Sequence, residues 1–284
     1  MIARHRGEYP LTLMCRVLAV SPSGFHASQT RPAAARSTVD AALRVQIAAT
    51  HQRAHHEYGA RLHRRELRAT GQWISRRRTR RLMQEAGCVA VTARRWQVTT
   101  HADPALPVAP NRLDRQFTVA RPNRVWAADL TYCWTQEGWL YLAVVLDLCS
   151  RRVVGWATSR SPDAQVALTA WARATALRQP APGLVHHSDR GSIYACGAYQ
   201  GALAERRAIV SMSRRGNCWD NAVVESFFAT LKRGVVHRQT WPTRSSLLRA
   251  LVDYIEGWYN PERRHSHLGY VSPIAYEAQL ARAA

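Results

Sequence analysis

The chain has 284 residues, 46% of them apolar, enough to bury a substantial core and to divide into two or more units. Forty basic residues against 19 acidic ones give a formal charge of +21, which favours a phosphate backbone over small acidic substrates or ordinary protein surfaces. No secretory signal or long apolar span is visible, and six scattered cysteines form no C-x-x-C pair, so a soluble, reduced, cytosolic protein is expected, not a membrane protein or a disulfide scaffold.

Residues 10–30 (PLTLMCRVLAVSPSGFHASQT) read as a short helix, a tight turn and a second helix, with Ser21 as N-cap and Pro22 in the first helical position. This suits either a helix-turn-helix fragment or a plain helical hairpin. His51 and His55 have a ligand-like spacing. Without a paired cysteine motif they read as histidines on an amphipathic helix, not as zinc ligands.

A second hairpin covers residues 58–87. Leu62, Leu67, Leu82 and Met83 mark its apolar stripe, Gly71 stops its first helix and Ser75 caps the second. Arg76, Arg77, Arg78, Arg80 and Arg81 crowd the opening turns of that second helix, where the macrodipole disfavours cations. Neutralisation by DNA phosphates is the sharper reading and a solvated basic face the plainer one. Residues 98–122 are rich in Pro and polar residues and lack periodicity, so they read as a linker.

Beyond the linker the pattern changes to strands. Residues 123–134, 138–148 and 151–159 read as three consecutive antiparallel strands, with turns at Glu137-Gly138 and Cys149-Ser150. A helix over 162–178, a strand over 183–188, a helix near 195–206 and a strand over 208–213 follow, then helices near 220–233 and 243–259. The last carries the apolar stripe Leu247, Leu248, Leu251, Val252, Ile255, Trp258 and Tyr259. This order predicts an α/β fold: a mixed sheet flanked by helices, preceded by an all-α region.

Three carboxylates stand out. Asp129 interrupts an apolar strand (VWAADLTY), where acids are depleted, so it must be paired, protonated or bound to metal. Asp147, at the end of the neighbouring strand, is the rival acid; Arg151 and Arg152 could pair with it, so a structural role is expected. Asp189 ends a strand (GLVHHSDRG) just before Gly191, either as an active group at a rigid loop base or as a turn former. Glu225 lies 36 residues later in NAVVESFFATLK, with Asp220 expected to cap that helix.

At 100° per residue Asn221, Glu225 and Lys232 share one face of that helix, while Phe227, Phe228 and Leu231 anchor it to the core. Lys232 is the sole lysine among the 40 basic residues. Codon bias explains most of the arginine excess; chance, or a point charge needed at that position, explains the exception. Two carboxylates on strands and one on a helix can hold a pair of divalent metals against a phosphodiester. Oxygen ligands suit Mg2+ or Mn2+ better than zinc.

Together these residues resemble the catalytic core of the DDE transposases and retroviral integrases, whose acidic triad has 35 residues between its second and third members. The likeness is closer to the insertion-sequence-three family, the product of its second reading frame. It is carried by PNRVWAADLTY, EGWLYLAVVLDLCSRRVVGW, HSDRGSIY, GNCWDNAVVESFFATLK and YNPERRHSHLGYVSPIAYE; earlier, YGARLHRRELRATG and SRRRTRRLMQEAG resemble its helical DNA-binding region. Ile193 departs from the family, which more often has a polar residue there.

The resemblance implies a ribonuclease H-like fold, with residues 1–97 as a helix-turn-helix-like DNA-binding region, 98–118 as linker and 119–284 as catalytic core with a C-terminal helical extension. It implies metal-dependent cleavage at the element's 3′ ends and strand transfer by Asp129, Asp189 and Glu225, with two Mg2+ or Mn2+ ions. The alternative is a non-catalytic DNA-binding remnant or regulator of transposition. Lys232, Asn221 and Arg190 would contact DNA beside the acids. Implied partners are double-stranded DNA, further copies of the chain on that DNA, and the upstream-frame product as fusion or partner. Bacterial, nucleoid-associated placement follows from the same resemblance.

Overall fold

The structure, a computed structural model, describes residues 1–30, 35–91, 108–214 and 218–283. Residues 98–107 of the expected linker, and 215–217 ahead of the Glu225 helix, lie outside the described residues.

The helical half begins with α1 (Leu11–Val17) and α2 (Pro22–Thr30). Ser21 Oγ accepts the Gly24 N–H at 3.0 Å, the expected cap, and Ile2, Cys15 and Phe25 form a small core of their own. Next come α3 (Ala35–Arg53), α4 (Ala60–Ala69) and α5 (Arg76–Glu85), packed around Leu43, Ile47, Leu67, Leu82 and Met83. Gly71 sits at φ +81°, left-handed as a helix stop requires, and Ser75 Oγ accepts the Arg78 N–H at 3.1 Å. His51 points inward against His63, ring nitrogens 3.3 Å apart, and both are buried.

The second half is a five-stranded sheet in the order β3-β2-β1-β4-β5. The strands β1 (Val125–Thr135), β2 (Gly138–Asp147) and β3 (Val153–Ser159) form the expected antiparallel meander, with Asp129 opposite Val144. After α6 (Ala164–Arg178), β4 (Val185–Ser188) pairs parallel with β1, and β5 (Ile209–Met212) parallel with β4. Strand alternation gives the sheet two apolar faces. Trp126, Ala128, Ala143 and Val145 meet α6 residues such as Ala170 and Trp171, together with Leu203. On the other face Ala127, Val144 and Leu146 meet Phe227, Phe228, Leu231, Leu247 and Tyr254. This layered order is the ribonuclease H-like arrangement that the resemblance implies.

Gly155 allows the approach of α6 to β3. A Cβ there would stand 2.3 Å from the Ala170 carbonyl oxygen and 2.6 Å from Ala174 Cβ, so no larger residue fits without shifting the helix.

Two expected helices are subdivided. The expected helix near 195–206 starts earlier, as the single turn α7 (Ser192–Ala195), breaks at an extended Cys196 and continues as α8 (Gly197–Glu205). Residues 243–259 hold α10 (Arg244–Val252) and a wider π-helical turn, Asp253–Tyr259; such turns are invisible to a 3.6-residue period. The helix of Glu225 is α9 (Ala222–Gly234), and α11 (Pro273–Ala283) closes the chain's described part.

The later part of the expected linker is fastened to the sheet half. Arg112 N–H donates to Ser211 Oγ at 2.9 Å, Leu113 is buried in the core, and the Phe117 carbonyl accepts from Arg151 Nη2 at 2.9 Å. The two halves also join through buried polar groups: Tyr254 Oη donates to Glu57 at 2.6 Å, and Arg263 Nε donates to the same carboxylate at 3.0 Å.

Candidate active site

The sheet register assembles the first two acids. β1 and β4 run parallel with Ala127 opposite His187. The pairing stops there: Asp129 lies two residues beyond Ala127, and Asp189, the first residue past β4, two beyond His187, so both acids follow the same end of the β1–β4 ladder. By alternation Asp129 belongs to the face that carries Ala127 and Cys133, which α9 covers. The core side of α9 is Val224, Phe227, Phe228 and Leu231, so Glu225 is held at the flank of that contact.

Local hydrogen bonds fix the approach. Asp129 Oδ1 accepts the Leu130 N–H at 2.8 Å, and Asp189 Oδ1 accepts the Gly191 N–H at 2.9 Å. A Cβ on Gly191 would lie 3.0 Å from that Asp189 oxygen, so glycine lets the loop wrap tightly round the carboxylate. Asn221 Nδ2 donates to the Ala128 carbonyl at 3.4 Å, tying the start of α9 to β1 beside Asp129. Lys232 Nζ lies 4.9 Å from the centre of the Tyr132 ring, also on β1.

All three acids are half-buried, and electrostatics link them. Burial, then the charge of Asp189, raises Asp129 well above the usual carboxylate range; Glu225 adds to the rise and Lys232 opposes it. Glu225 is pushed up to about 7 by burial and by Asp189. Burial moves Lys232 the other way, below its usual value. The site thus concentrates negative charge faster than its single ammonium relieves it, the condition that favours binding a cation. Among the described residues no three His, Cys, Asp or Glu side chains form a ready-made metal cage. The trio stands as electrostatic neighbours, and mutual repulsion opposes closing it further. Its donor chemistry, oxygen only, fits Mg2+ or Mn2+.

Several expected roles change. Asp147 is structural, yet among the described residues no arginine pairs with it: its buried carboxylate accepts N–H bonds from Asn123, Cys149, Ser150 and the Trp126 indole, at 2.6–3.1 Å. Arg152 pairs instead with Glu277 at 2.8 Å. Asp220 does not cap α9. It is buried and receives Arg214, Arg115 and Asn111 at 2.8–3.0 Å, so the Arg214 guanidinium first of all holds it far below the usual carboxylate range. That clamp secures the entry to α9, and hence Glu225.

Arg78 Nε donates to Asp40 at 2.8 Å, and Arg81 pairs with Asp40 and Glu85 at 2.5 Å. Both have an ion-pair partner within the helical cluster, Asp40, 38 and 41 residues away. Arg76, Arg77 and Arg80 stand exposed. Arg190 Nε donates to the Ser213 carbonyl at 2.6 Å, bracing the Asp189 loop against the end of β5.

Sequence reasoning assigns Tyr194 no role, although it closes the HSDRGSIY motif. It is buried, and its hydroxyl has no hydrogen-bond partner among the described residues. Burial raises it well above the usual phenol value, with Asp129 and Asp189 contributing. The available signal is a tyrosine closing the motif that carries Asp189, five residues after that acid.

Comparison with known proteins gives the chain's relatives. An integrase core domain profile matches residues 119–218, a second one residues 206–273, and an HTH-like domain profile residues 38–96. The "Insertion element IS600 uncharacterized 31 kDa protein" of Shigella sonnei is 38% identical over 263 residues, 93% of this chain and 97% of that one. "Transposase InsF for insertion sequence IS3A" of Escherichia coli strain K12 is 37% identical over 279 residues, 97% of this chain and 96% of its own. The HTLV-2 integrase catalytic core domain in complex with magnesium (trimeric form) overlays with a TM-score of 0.43 and 16% identity, over 55% of this chain and 97% of that one. With an HTH-like region ahead of an integrase core, and identity along nearly its whole length, the chain belongs to the IS3 family of insertion-sequence transposases.

Proposed function

We propose that this transposase cleaves DNA at the 3′ ends of its insertion sequence and transfers them to a new phosphodiester, with Asp129, Asp189 and Glu225 as the catalytic carboxylates. What supports this reading is the parallel β1–β4 ladder, which both Asp129 and Asp189 follow at the same end, together with the charges of Asp189 and Glu225 acting on Asp129. The three would hold two divalent ions, Mg2+ or Mn2+. When bound, such ions lower the pKa of the attacking hydroxyl or water and stabilise the departing 3′-oxygen. The chain's own groups position the DNA. Lys232 offers a point charge to a phosphate from the face of α9 that carries Glu225, Asn221 holds that helix on β1, and Arg190 stiffens the loop of Asp189. Joining of end-bearing duplexes with Mg2+ as the sole divalent ion tests the reading. EDTA should stop it, and joining that continues in EDTA would refute the metal assignment.

The exposed Arg76, Arg77 and Arg80 are the part of the basic hairpin that we assign to the DNA backbone. Replacing all three by alanine should weaken duplex binding and flatten the dependence of log K on log salt by about 2–3 units, roughly one for each phosphate left without its arginine. An unchanged slope would show a merely solvated surface. Leu13, Val17 and Val20 are 39%, 73% and 42% exposed on the first hairpin. To that apolar surface we assign the upstream-frame product, as fusion or partner, with further copies of the chain assembling on the DNA.

A further inference from the structure

A cavity of about 590 Å³ lies on the far side of α9 from the acid trio, between the start of α4 and the segment 259–270. Of the α9 residues on its wall, Ala222, Val223, Ser226, Phe227 and Thr230, all but Ala222 project about 100° or more around the helix from Glu225. Its charged groups are all basic: Arg61, Arg151, Arg263 and Arg264, with His265 and His267, and among the described residues no carboxylate lines it.

Two of these guanidiniums are balanced from behind. Arg263 Nε donates to Glu57 at 3.0 Å, and Arg264 pairs with Glu66. Arg151 is different. It is only 7% exposed, its Nη2 is spent on the Phe117 carbonyl, and its Nη1 has no hydrogen-bond partner among the described residues. Its backbone sits at φ +61°, a left-handed conformation that a non-glycine residue adopts when its surroundings impose it. The nearest acid in sequence, Asp147, is already committed to four N–H groups. A buried cation with a free donor and no paired anion is costly unless something anionic completes it. Arg61 stands exposed at the same cavity, and Ser226 and Ser266 add hydroxyls that can donate to phosphate oxygens, while Thr230 Oγ1 is spent on the Ser226 carbonyl at 2.7 Å.

We infer that this cavity seats a backbone phosphate of the bound DNA, gripped by Arg151 from within and Arg61 from the mouth. The inference rests on the transposase reading for the identity of the polyanion. The cavity is far larger than one free phosphate and opens between the helical region and the integrase core, as a strand passing from one to the other requires. A duplex held there is pressed against the helix that carries Glu225 on its opposite side.

The test is a scan of end-bearing duplexes in which one phosphate at a time is replaced by a neutral methylphosphonate, with binding to the full chain read by fluorescence anisotropy. Wild type should lose roughly fivefold in affinity at one or two positions, and the salt slope of Arg61→Ala should fall by about one. At those same positions Arg61→Ala and Arg151→Gln should show no further loss. The exposed Arg61 keeps the test valid where Arg151→Gln fails to fold. Two results would overturn the inference: full sensitivity to every methylphosphonate in Arg61→Ala, or thermal stabilisation of wild type by inorganic phosphate, lost in Arg151→Gln, with DNA binding unaltered in both variants. Failure of the transposase reading looks different: wild type itself would join no ends, whatever the state of the cavity.

Discussion

Asp189→Asn should reduce strand joining by about 10³-fold or more while leaving duplex affinity unchanged or slightly higher. The substitution keeps the shape of the side chain and the oxygen that accepts the Gly191 N–H, so the loop keeps its fold. What it removes is a formal charge at the point where Asp129 and Glu225 both feel Asp189. An amide oxygen is a much weaker ligand for Mg2+ than a carboxylate, and losing one preorganised charge at a reacting phosphoryl group costs about 10²–10³ or more in rate. Binding is spared because removing an anion beside a phosphate backbone relieves repulsion. Labelled end-bearing duplex, Mg2+ and a target duplex give joining directly, and anisotropy on the same preparation gives affinity. Joining at the wild-type rate would remove Asp189 from the catalytic trio. Asp147→Asn is the control for a buried acid that is purely structural: it should lower Tm, since four N–H groups converge on that carboxylate.

The contrast between Asp129 and Asp147 shows what a sequence can carry. Both are acids in apolar strands, and the period-2 pattern places both strands nearly to the residue. Asp129 is legible because it sits mid-strand, where only a function or a partner explains it. The partners of Asp147 are not, since its bonds come from the turn backbone and the Trp126 indole, and backbone donors leave no trace in composition. Long-range pairing is equally hidden. Arg78 and Arg81 look unneutralised in sequence because Asp40 lies 38 and 41 residues away on α3. The turn from Val252 to Tyr259 keeps its apolar stripe while changing its hydrogen bonding. The pairing that brings the stretches of Asp129 and Asp189 to the same end of the sheet depends on β4 joining β1 in parallel across an intervening helix, a tertiary fact that no local window contains.

Acid should unfold this protein well above the pH at which ordinary exposed carboxylates protonate, and buried neutral histidines are the cause. His186, His187 and His63 are fully buried; burial lowers His186 to about 3 and the other two to about 4. Their native partners suit the neutral ring: Tyr199 Oη at 3.0 Å for His186, Ser211 and Ser213 hydroxyls at 2.9 and 3.2 Å for His187. Each is lower in the folded state than its ordinary 6.5, so as pH falls below 6.5 the unfolded chain takes up protons that the folded chain refuses. Stability is therefore complete above about 6.5 and lost on the way down to about 4. Asp129 and Glu225 act in the opposite sense. Raised in the folded state, they bind protons first there: Glu225 gains stability over the window from about 7 to 4.5, and Asp129 likewise gains as pH falls towards the ordinary carboxylate range. The lowered histidines, joined by His51, His55, His56, His265 and His267, outnumber the raised carboxylates Asp129, Glu225, Asp147 and Glu57, so stability falls with acid, each net proton being worth about 1.4 kcal/mol per pH unit. Glu225→Gln removes one opposing group, so its stability should fall more steeply with acid than that of wild type, and His187→Asn should fall less steeply. Urea midpoints measured from about pH 8 to 4.5 on the three proteins check the order. A wild-type midpoint that stays flat or rises towards pH 5 would mean that the carboxylates, not the histidines, govern the acid limb.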